Sequence, residues 1–165
     1  YPKFEGQSGL AALRLSLANR YSSEYGLEGG VSGLAGERLA QDHMRVQTRR
    51  AGIDGRYRRP VPTGLLTAAA ELSGGQDAAD MVFTQLYQGE YLHSSRRWGL
   101  ASQYRRFRRD GMGADGSIIG EASWYVRNDV GNSNLHWIKL NVERQVESAR
   151  MRRDVIVALQ YYRYW

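Results

Sequence analysis

The sequence predicts an all-β chain, an antiparallel transmembrane β-barrel meander, and three observations carry that expectation. A two-residue hydrophobic period recurs along the whole chain, no helical period interrupts it, and aromatic residues gather toward one end of successive segments. A strand sends alternate side chains to opposite faces, so this period makes one face apolar and the other polar. With no helices to carry parallel crossovers, neighbouring strands pair antiparallel.

Each element follows from that period. In 10–21, Leu13, Leu15 and Leu17 share a face opposite Arg14, Ser16 and Arg20. In 24–36, Tyr25, Leu27, Gly29 and Val31 oppose Glu28, Gly30 and Ser32. In 44–59, Ala51, Ile53 and Tyr57 oppose Arg50, Asp54 and Arg56, the least regular of the set. In 62–74, Leu66, Ala68, Ala70 and Leu72 oppose Thr67 and Glu71. In 80–93, Val82, Thr84 and Leu86 are assigned to the apolar face, opposite Gln85, although Glu90 interrupts that face. In 96–109, Trp98, Leu100 and Tyr104 oppose Gln103 and Arg105. In 117–128, Ile118, Ala122, Trp124 and Val126 oppose Glu121, Ser123 and Arg127. In 133–147, Ile138, Leu140 and Val142 oppose Lys139, Asn141 and Glu143. In 149–164, Val155, Val157, Leu159 and Tyr161 oppose Asp154, Ala158 and Gln160. The reading gives about nine strands, within a range of about eight to ten. No composition break divides residues 1–165, which read as a single barrel domain or the C-terminal part of a larger one.

Composition narrows the function classes. No apolar run reaches the ~18 residues a transmembrane helix needs. The first residues, Tyr1-Pro2-Lys3-Phe4, lack a signal-peptide layout, which a mature exported protein would have lost. There are no cysteines, which removes disulfides and thiolate metal sites. Gly (19) and Tyr (11) are abundant and Pro (3) is scarce. The net charge of +6, mostly from Arg, points to anionic partners such as phosphate, lipopolysaccharide, acidic polysaccharide or nucleic acid.

Soluble sandwiches also alternate, so three further features bear on the membrane. The polar face carries both charge signs at mid-strand, in Arg14, Glu28, Arg56, Glu71, Arg105, Glu121 and Lys139. These seven are expected to line a lumen, because charge is cheap against water and expensive against lipid. Short turns near Ser22-Ser23, Pro60-Val61-Pro62, Ser94-Ser95 and Gly131-Asn132 alternate with longer links near 37–43, 73–80, 109–117 and 144–150. Outer-membrane barrels have short periplasmic turns and longer outer loops. With the short turns placed at the bottom, Tyr21, Tyr25, Tyr57, Tyr91, Trp98, Trp124, Tyr125, Trp137, Tyr161, Tyr162, Tyr164 and Trp165 all fall low in their strands, as an interfacial aromatic belt would.

The C-terminal segment Val155-Ile156-Val157-Ala158-Leu159-Gln160-Tyr161-Tyr162-Arg163-Tyr164-Trp165 resembles the last strand of bacterial outer-membrane β-barrel proteins. Such strands alternate apolar residues and end on an aromatic that the barrel-assembly machinery recognises. The class usually ends in Phe, and this chain ends in Trp. The resemblance implies a bacterial outer-membrane location and a barrel that starts and ends in the periplasm. Its first strand would then run upward, whereas 10–21 leads into a bottom turn and runs downward. Either one strand is miscounted and the barrel closes with about eight or ten strands, or an odd number of strands precedes a C-terminal portion. In the second case the chain is similar to the large barrels of exopolysaccharide secretion and to phage-adsorption outer-membrane proteins.

For catalysis the sequence offers little. His43, His93 and His136 sit on separate strands, so no metal cluster is expected. Ser22-Ser23 and Ser94-Ser95 read as turn residues, and Gly29-Gly30 and Gly111-Met112-Gly113 lack the strand–loop–helix setting of a phosphate loop. Arg49, Arg106, Arg108 and Arg153 fall at upper strand ends, where guanidinium groups facing outward would bind lipopolysaccharide or another anion. Basic runs also occur at the lower end, in Arg56-Tyr57-Arg58-Arg59 and Arg96-Arg97. The expected function is a non-enzymatic pore or export conduit for exopolysaccharide or another polymer, anionic polymer included, with no cofactor, no metal and no nucleic acid. A mixed lumen with mild anion preference is expected. The rival readings are a small structural or adhesion barrel, a lipid-modifying barrel enzyme, and a soluble β-sheet nucleic-acid binder.

Overall fold

A computed structural model describes residues 10–20, 25–39, 45–129, 134–148 and 154–164. The strands are β1 (Leu10–Arg20), β2 (Gly26–Leu39), β3 (Arg45–Val61), β4 (Gly64–Asp77), β5 (Asp80–His93), β6 (Trp98–Arg109), β7 (Gly113–Asp129), β8 (Asn134–Glu147) and β9 (Val155–Tyr164). They form a nine-stranded sheet in the order of the chain, each strand antiparallel to the next. The expected all-β antiparallel meander is what the chain adopts, and the sheet is not closed: β1 and β9 are its two edges. The polarity of a meander fixes what closure needs. As first and ninth strands, β1 and β9 run the same way, so direct pairing would be parallel. Antiparallel closure takes an odd number of strands between them.

The register places side chains on two sets of rows. Leu15, Val31, Ile53 and Leu72 lie side by side on one face, and Ser16, Gly30, Asp54 and Glu71 on the other. On the second face, Arg14 of β1 reaches Asp54 of β3 across β2, and Arg105 of β6 reaches Glu143 of β8 across β7. One recess there is lined from five successive strands, by Arg14, Glu28, Asp54, Glu71 and Gln88 among others. The polar face is therefore the concave, inward one and the apolar face the convex, outward one.

Small residues at inward positions allow that curvature. A Cβ on Gly30 would come within 3.3 Å of both the Arg14 guanidinium and the Asp54 carboxylate that meet above it. A Cβ on Gly75 would overlap the Arg49 carbonyl, so only glycine lets β3 approach β4 this closely there.

Two expectations are corrected. The apolar face of β5 is not Val82, Thr84 and Leu86. Val82 pairs with Gly75 and Arg109 inward and is 3% exposed, whereas Met81, Phe83, Tyr87 and Tyr91 lie on the outward rows. Apolar residues occupy both parities in this segment, so alternation alone is ambiguous. The two-residue turn Ala78-Ala79 pairs Asp77 with Asp80 and decides which parity joins the outward rows of β4. The alternation of short and long links also fails. The expected long links at 73–80 and 109–117 are the two-residue turn and the three-residue turn Asp110-Gly111-Met112, because the flanking strands extend into them. The longer link of the upper end is 148–154, between β8 and β9.

Beyond Trp124, β7 departs from simple alternation. A bulge between Tyr125 and Arg127 leaves Val126 without a partner on β8. A second irregularity at Gly116/Ser117 skips Val146 and sets Glu147 opposite Gly116, on an outward row.

The turn between β4 and β5 holds Ala78 at φ 59, a left-handed conformation that costs a residue with Cβ about 1–2 kcal/mol. Ala78→Gly is expected to raise the stability of the folded chain by about 1 kcal/mol, read as a higher urea midpoint at unchanged slope.

Candidate functional site

Large apolar side chains are the exposed ones in this protein. Leu17 is 86% exposed and Leu159 74%, and Leu13, Leu15, Val155, Val157 and Tyr161 are also open on the outward face. Among the described residues, Val82 is the one buried hydrophobic side chain, while Thr48, Asp77, Ser117 and Ser123 are buried and polar. The accessible surface is 12441 Å², against about 8300 Å² for a compact soluble chain of this mass. A single curved sheet has no second layer, and its polarity is reversed relative to a soluble domain.

The outward apolar band runs diagonally across the hydrogen-bonded rows. The row of Leu15, Val31, Ile53 and Leu72 turns polar at Gln85 and Arg106. The row that ends on Leu159 is apolar from Leu66 through Tyr91, Leu100, Ala122 and Leu140, and polar at Arg59. The band thus drops by about six residues between β1 and β9, which corresponds to strands tilted by roughly 30° to the band. A flat horizontal slab crossing tilted strands produces this offset.

The lower rim of the sheet is aromatic. Outward, Tyr25 meets Tyr57 edge-on at 6.3 Å, and Tyr91, His93 and Trp98 form a cluster in which His93 stacks on Trp98 at 4.8 Å. Inward, Tyr125, Trp137 and Tyr162 form a row, with Trp137 and Tyr162 stacked at 4.8 Å and 17°. Tyr21 and Trp165 lie outside the described residues, as does the side chain of Tyr164. Tyr87 and Tyr104 are exceptions to the rim, stacked at 6.2 Å in mid-sheet.

All seven charged residues singled out in the sequence lie on the inward face. The face is a lattice of ion pairs: Arg14 with Asp54 at 2.7 Å, Arg56 with Glu28 at 3.3 Å, Arg105 with Glu143 at 2.5 Å and Lys139 with Glu121 at 2.6 Å. Higher up, Arg50 binds Asp77 at 3.1 Å and Arg109 binds Asp80 at 2.7 Å. Asp77, 4% exposed, also accepts the Thr48 hydroxyl at 2.7 Å, which ties β3 to the end of β4. Glu71 is exposed and has no cation within ion-pair distance among the described residues. Pairing was not legible from parity, because it joins strands two apart as well as neighbours.

The register also corrects the charge balance of this face. Among the described residues, nine basic residues occupy inward positions: Arg14, Arg20, Arg38, Arg50, Arg56, Arg58, Arg105, Arg109 and Lys139. Nine acidic ones accompany them: Glu28, Asp54, Glu71, Asp77, Asp80, Glu90, Asp115, Glu121 and Glu143. The basic excess of the chain does not sit here. Asp54 and Glu143 were already on the polar parity in the sequence. Asp77 and Asp80 became inward only through the turn register.

Of the four upper arginines, Arg49 on β3 and Arg106 and Arg108 on β6 lie on outward rows, and Arg153 is outside the described residues. Arg106 is held by Glu147 at 2.8 Å, the residue that the β7–β8 irregularity brings outward. Arg49 and Arg108 are exposed with no acidic partner among the described residues. Above the apolar band they present open guanidinium groups.

His43 is outside the described residues, and His93 and His136 are far apart in the sheet order. His93 Nδ1 lies 2.9 Å from Ser95 Oγ and accepts the Ser95 N–H at 3.2 Å. This is a turn clamp: the ring packs on Trp98, the Arg97 N–H donates to Ser95 Oγ, and no carboxylate among the described residues orients the imidazole. No group of three or more potential metal ligands occurs among the described residues.

No family model, curated protein or solved structure matches this chain. The class defined by fold and surface is an open, antiparallel, single-layer β-meander with an apolar convex face and a charged concave one.

Asp77→Ala is expected to cost about 3 kcal/mol, because it leaves the Thr48 hydroxyl and the Arg50 guanidinium without their buried acceptor. Equilibrium unfolding of the variant beside Glu71→Ala, which loses no partner, checks this.

Proposed function

We propose that the chain forms the wall of a pore or export conduit in the bacterial outer membrane, as part of an antiparallel β-barrel. The observation that carries this reading is the reversed polarity: exposed Leu, Val and Ile outward, paired charges inward. Lipid tolerates the first and a water-filled interior the second. The diagonal band and the aromatic lower rim support it independently. In this reading the aromatic rim lies at the periplasmic interface, where Tyr and Trp are favoured. The upper end then reaches the outer leaflet, where Arg49 and Arg108 meet lipopolysaccharide phosphate, with Arg106 beside them. β9 is the strand offered to the barrel-assembly machinery. An odd number of further strands between β9 and β1 completes the wall.

The cargo is a polymer or solute that passes without chemistry. Among the described residues the inward rows carry nine acidic and nine basic residues, and this even balance argues against the anion preference expected from sequence. The proposed conduit has no marked charge preference. A soluble nucleic-acid binder would need its apolar face covered, and no second layer covers it among the described residues.

Three measurements test this. Expressed behind a signal peptide, the protein is expected in the outer-membrane fraction, and a soluble folded product would overturn the membrane reading. Leu15→Arg, on the apolar band, is expected to cost about 2–4 kcal/mol in a bilayer, and inward Ser16→Arg much less. Equal costs would place both faces in the same surroundings. In planar bilayers the reversal potential under a salt gradient is expected to lie near zero, and strong selectivity of either sign would reject the inward charge assignment.

A further inference from the structure

The inward aromatic row is out of character with the face that carries it. Tyr125, Trp137 and Tyr162 occupy one hydrogen-bonded row across β7, β8 and β9, and each ring is only partly buried. They stack on one another, at 6.2 Å for Tyr125 and Trp137 and 4.8 Å for Trp137 and Tyr162, and have no apolar core beneath them. Interfacial anchoring to lipid does not explain them, since the outward rim already holds Tyr25, Tyr57, Tyr91, Trp98, Trp124 and Tyr161.

Next to this row the inward groups are polar and mutually compensated. The Tyr162 hydroxyl donates to Gln160 Oε1 at 2.7 Å, and Asn141 Nδ2 donates to the same oxygen at 3.1 Å. The Gln160 carbonyl is thus occupied and its amide N–H groups remain available. Lys139 and Glu121 neutralise each other at 2.6 Å, and Ser123 donates to Glu121 at 3.0 Å. A flat aromatic ladder beside amides, hydroxyls and a neutralised charge pair matches one kind of ligand. A pyranose ring has a C–H face that stacks on aromatic rings and an edge of hydroxyls that exchange hydrogen bonds with amides and carboxylates.

We propose that the Tyr125–Trp137–Tyr162 row is a contact site for a neutral polysaccharide, with Gln160, Asn141 and Glu121 binding its hydroxyls. This rests on the conduit reading and names its cargo class. Successive sugar rings would slide along the row, since stacking is tolerant of position and each hydrogen bond is exchangeable. An anionic polymer gains little here, because Lys139 is already paired with Glu121 and Arg58, the cation of the adjoining recess, stands there with Glu90 and Glu121.

Calorimetric titration of the detergent-folded protein with cellohexaose, a neutral oligosaccharide, tests the site, with an oligogalacturonate of equal length as the anionic probe. Saturable binding of cellohexaose is expected, at least tenfold tighter than the oligogalacturonate. Trp137→Ala is expected to weaken it tenfold or more and Gln160→Ala about three- to tenfold, while Trp98→Ala on the outward rim leaves it unchanged. Circular dichroism establishes that the variants fold, and Gln160→Ala keeps the test alive if Trp137→Ala does not. No binding by the unaltered protein, equal loss in Trp98→Ala, or preference for the anionic probe overturns the proposal. Vesicle insertion measured on the same preparation separates the two readings. Insertion without sugar binding rejects this site alone, and sugar binding without insertion rejects the membrane reading alone.

Discussion

A single layer of strands has nothing of its own to bury against, and the rest of this structure answers to that constraint. Hydrogen bonds between neighbouring strands satisfy the backbone, but they leave two large faces and two edges. In a soluble sandwich the apolar face meets a second sheet. Here no described part of the chain covers the outward Leu, Val and Ile side chains, and the side chains that converge are charged. Curvature brings the charges within reach: Arg14 spans β2 to Asp54, and Arg105 spans β7 to Glu143. Inward glycines such as Gly30 and Gly75 leave the room that this convergence needs. Exposed ion pairs of this kind contribute little stability each. Their value lies in holding polar groups neutral on a face too crowded for isolated charge.

The outward and inward surfaces follow different rules along the same strands. Outward, position relative to the apolar band matters, so Arg49 and Arg108 lie above it and the Tyr and Trp rim below it. The band crosses the rows at a slant because the strands are tilted relative to it. Inward, pairing matters more than height. Acidic residues supplied by turns, Asp77 and Asp80, are captured by Arg50 and Arg109 at the upper end. At the lower end the stacked row around Trp137 stands where the ion pairs thin out. The two ends of the inward face therefore offer different chemistry, paired charge above and aromatic planes below.

Irregularities in the sheet are where local pattern and tertiary need diverge. The skipped Val146 turns Glu147 outward to meet Arg106, which would otherwise stand as a third open cation beside Arg49 and Arg108. The bulge at Val126 ends simple alternation at the lower end of β7, just past Trp124 and Tyr125, which regular alternation sends to opposite faces. The left-handed Ala78 holds a two-residue turn without the glycine such a turn favours.

Much of this was legible in the residues alone. Period-two alternation identifies about nine strands, most with ends within a few residues of those observed, although the last begins at Val155 rather than 149, because one greasy face and one wet face leave little freedom of register. The seven inward charges and the aromatic rim follow from the same parity. What alternation leaves open is any segment with apolar residues on both parities, and β5 is that segment: Val82 turns inward only because Asp77 pairs with Asp80 across a two-residue turn. Link lengths were misjudged for a related reason, since polar residues continue β4 and β7 where composition reads as loop. Charge pairing across a skipped strand, the even charge balance of the concave face and the inward stacking of Tyr125, Trp137 and Tyr162 belong to tertiary structure alone. Parity assigns a side chain to a face, but only register and curvature decide which side chains on that face meet.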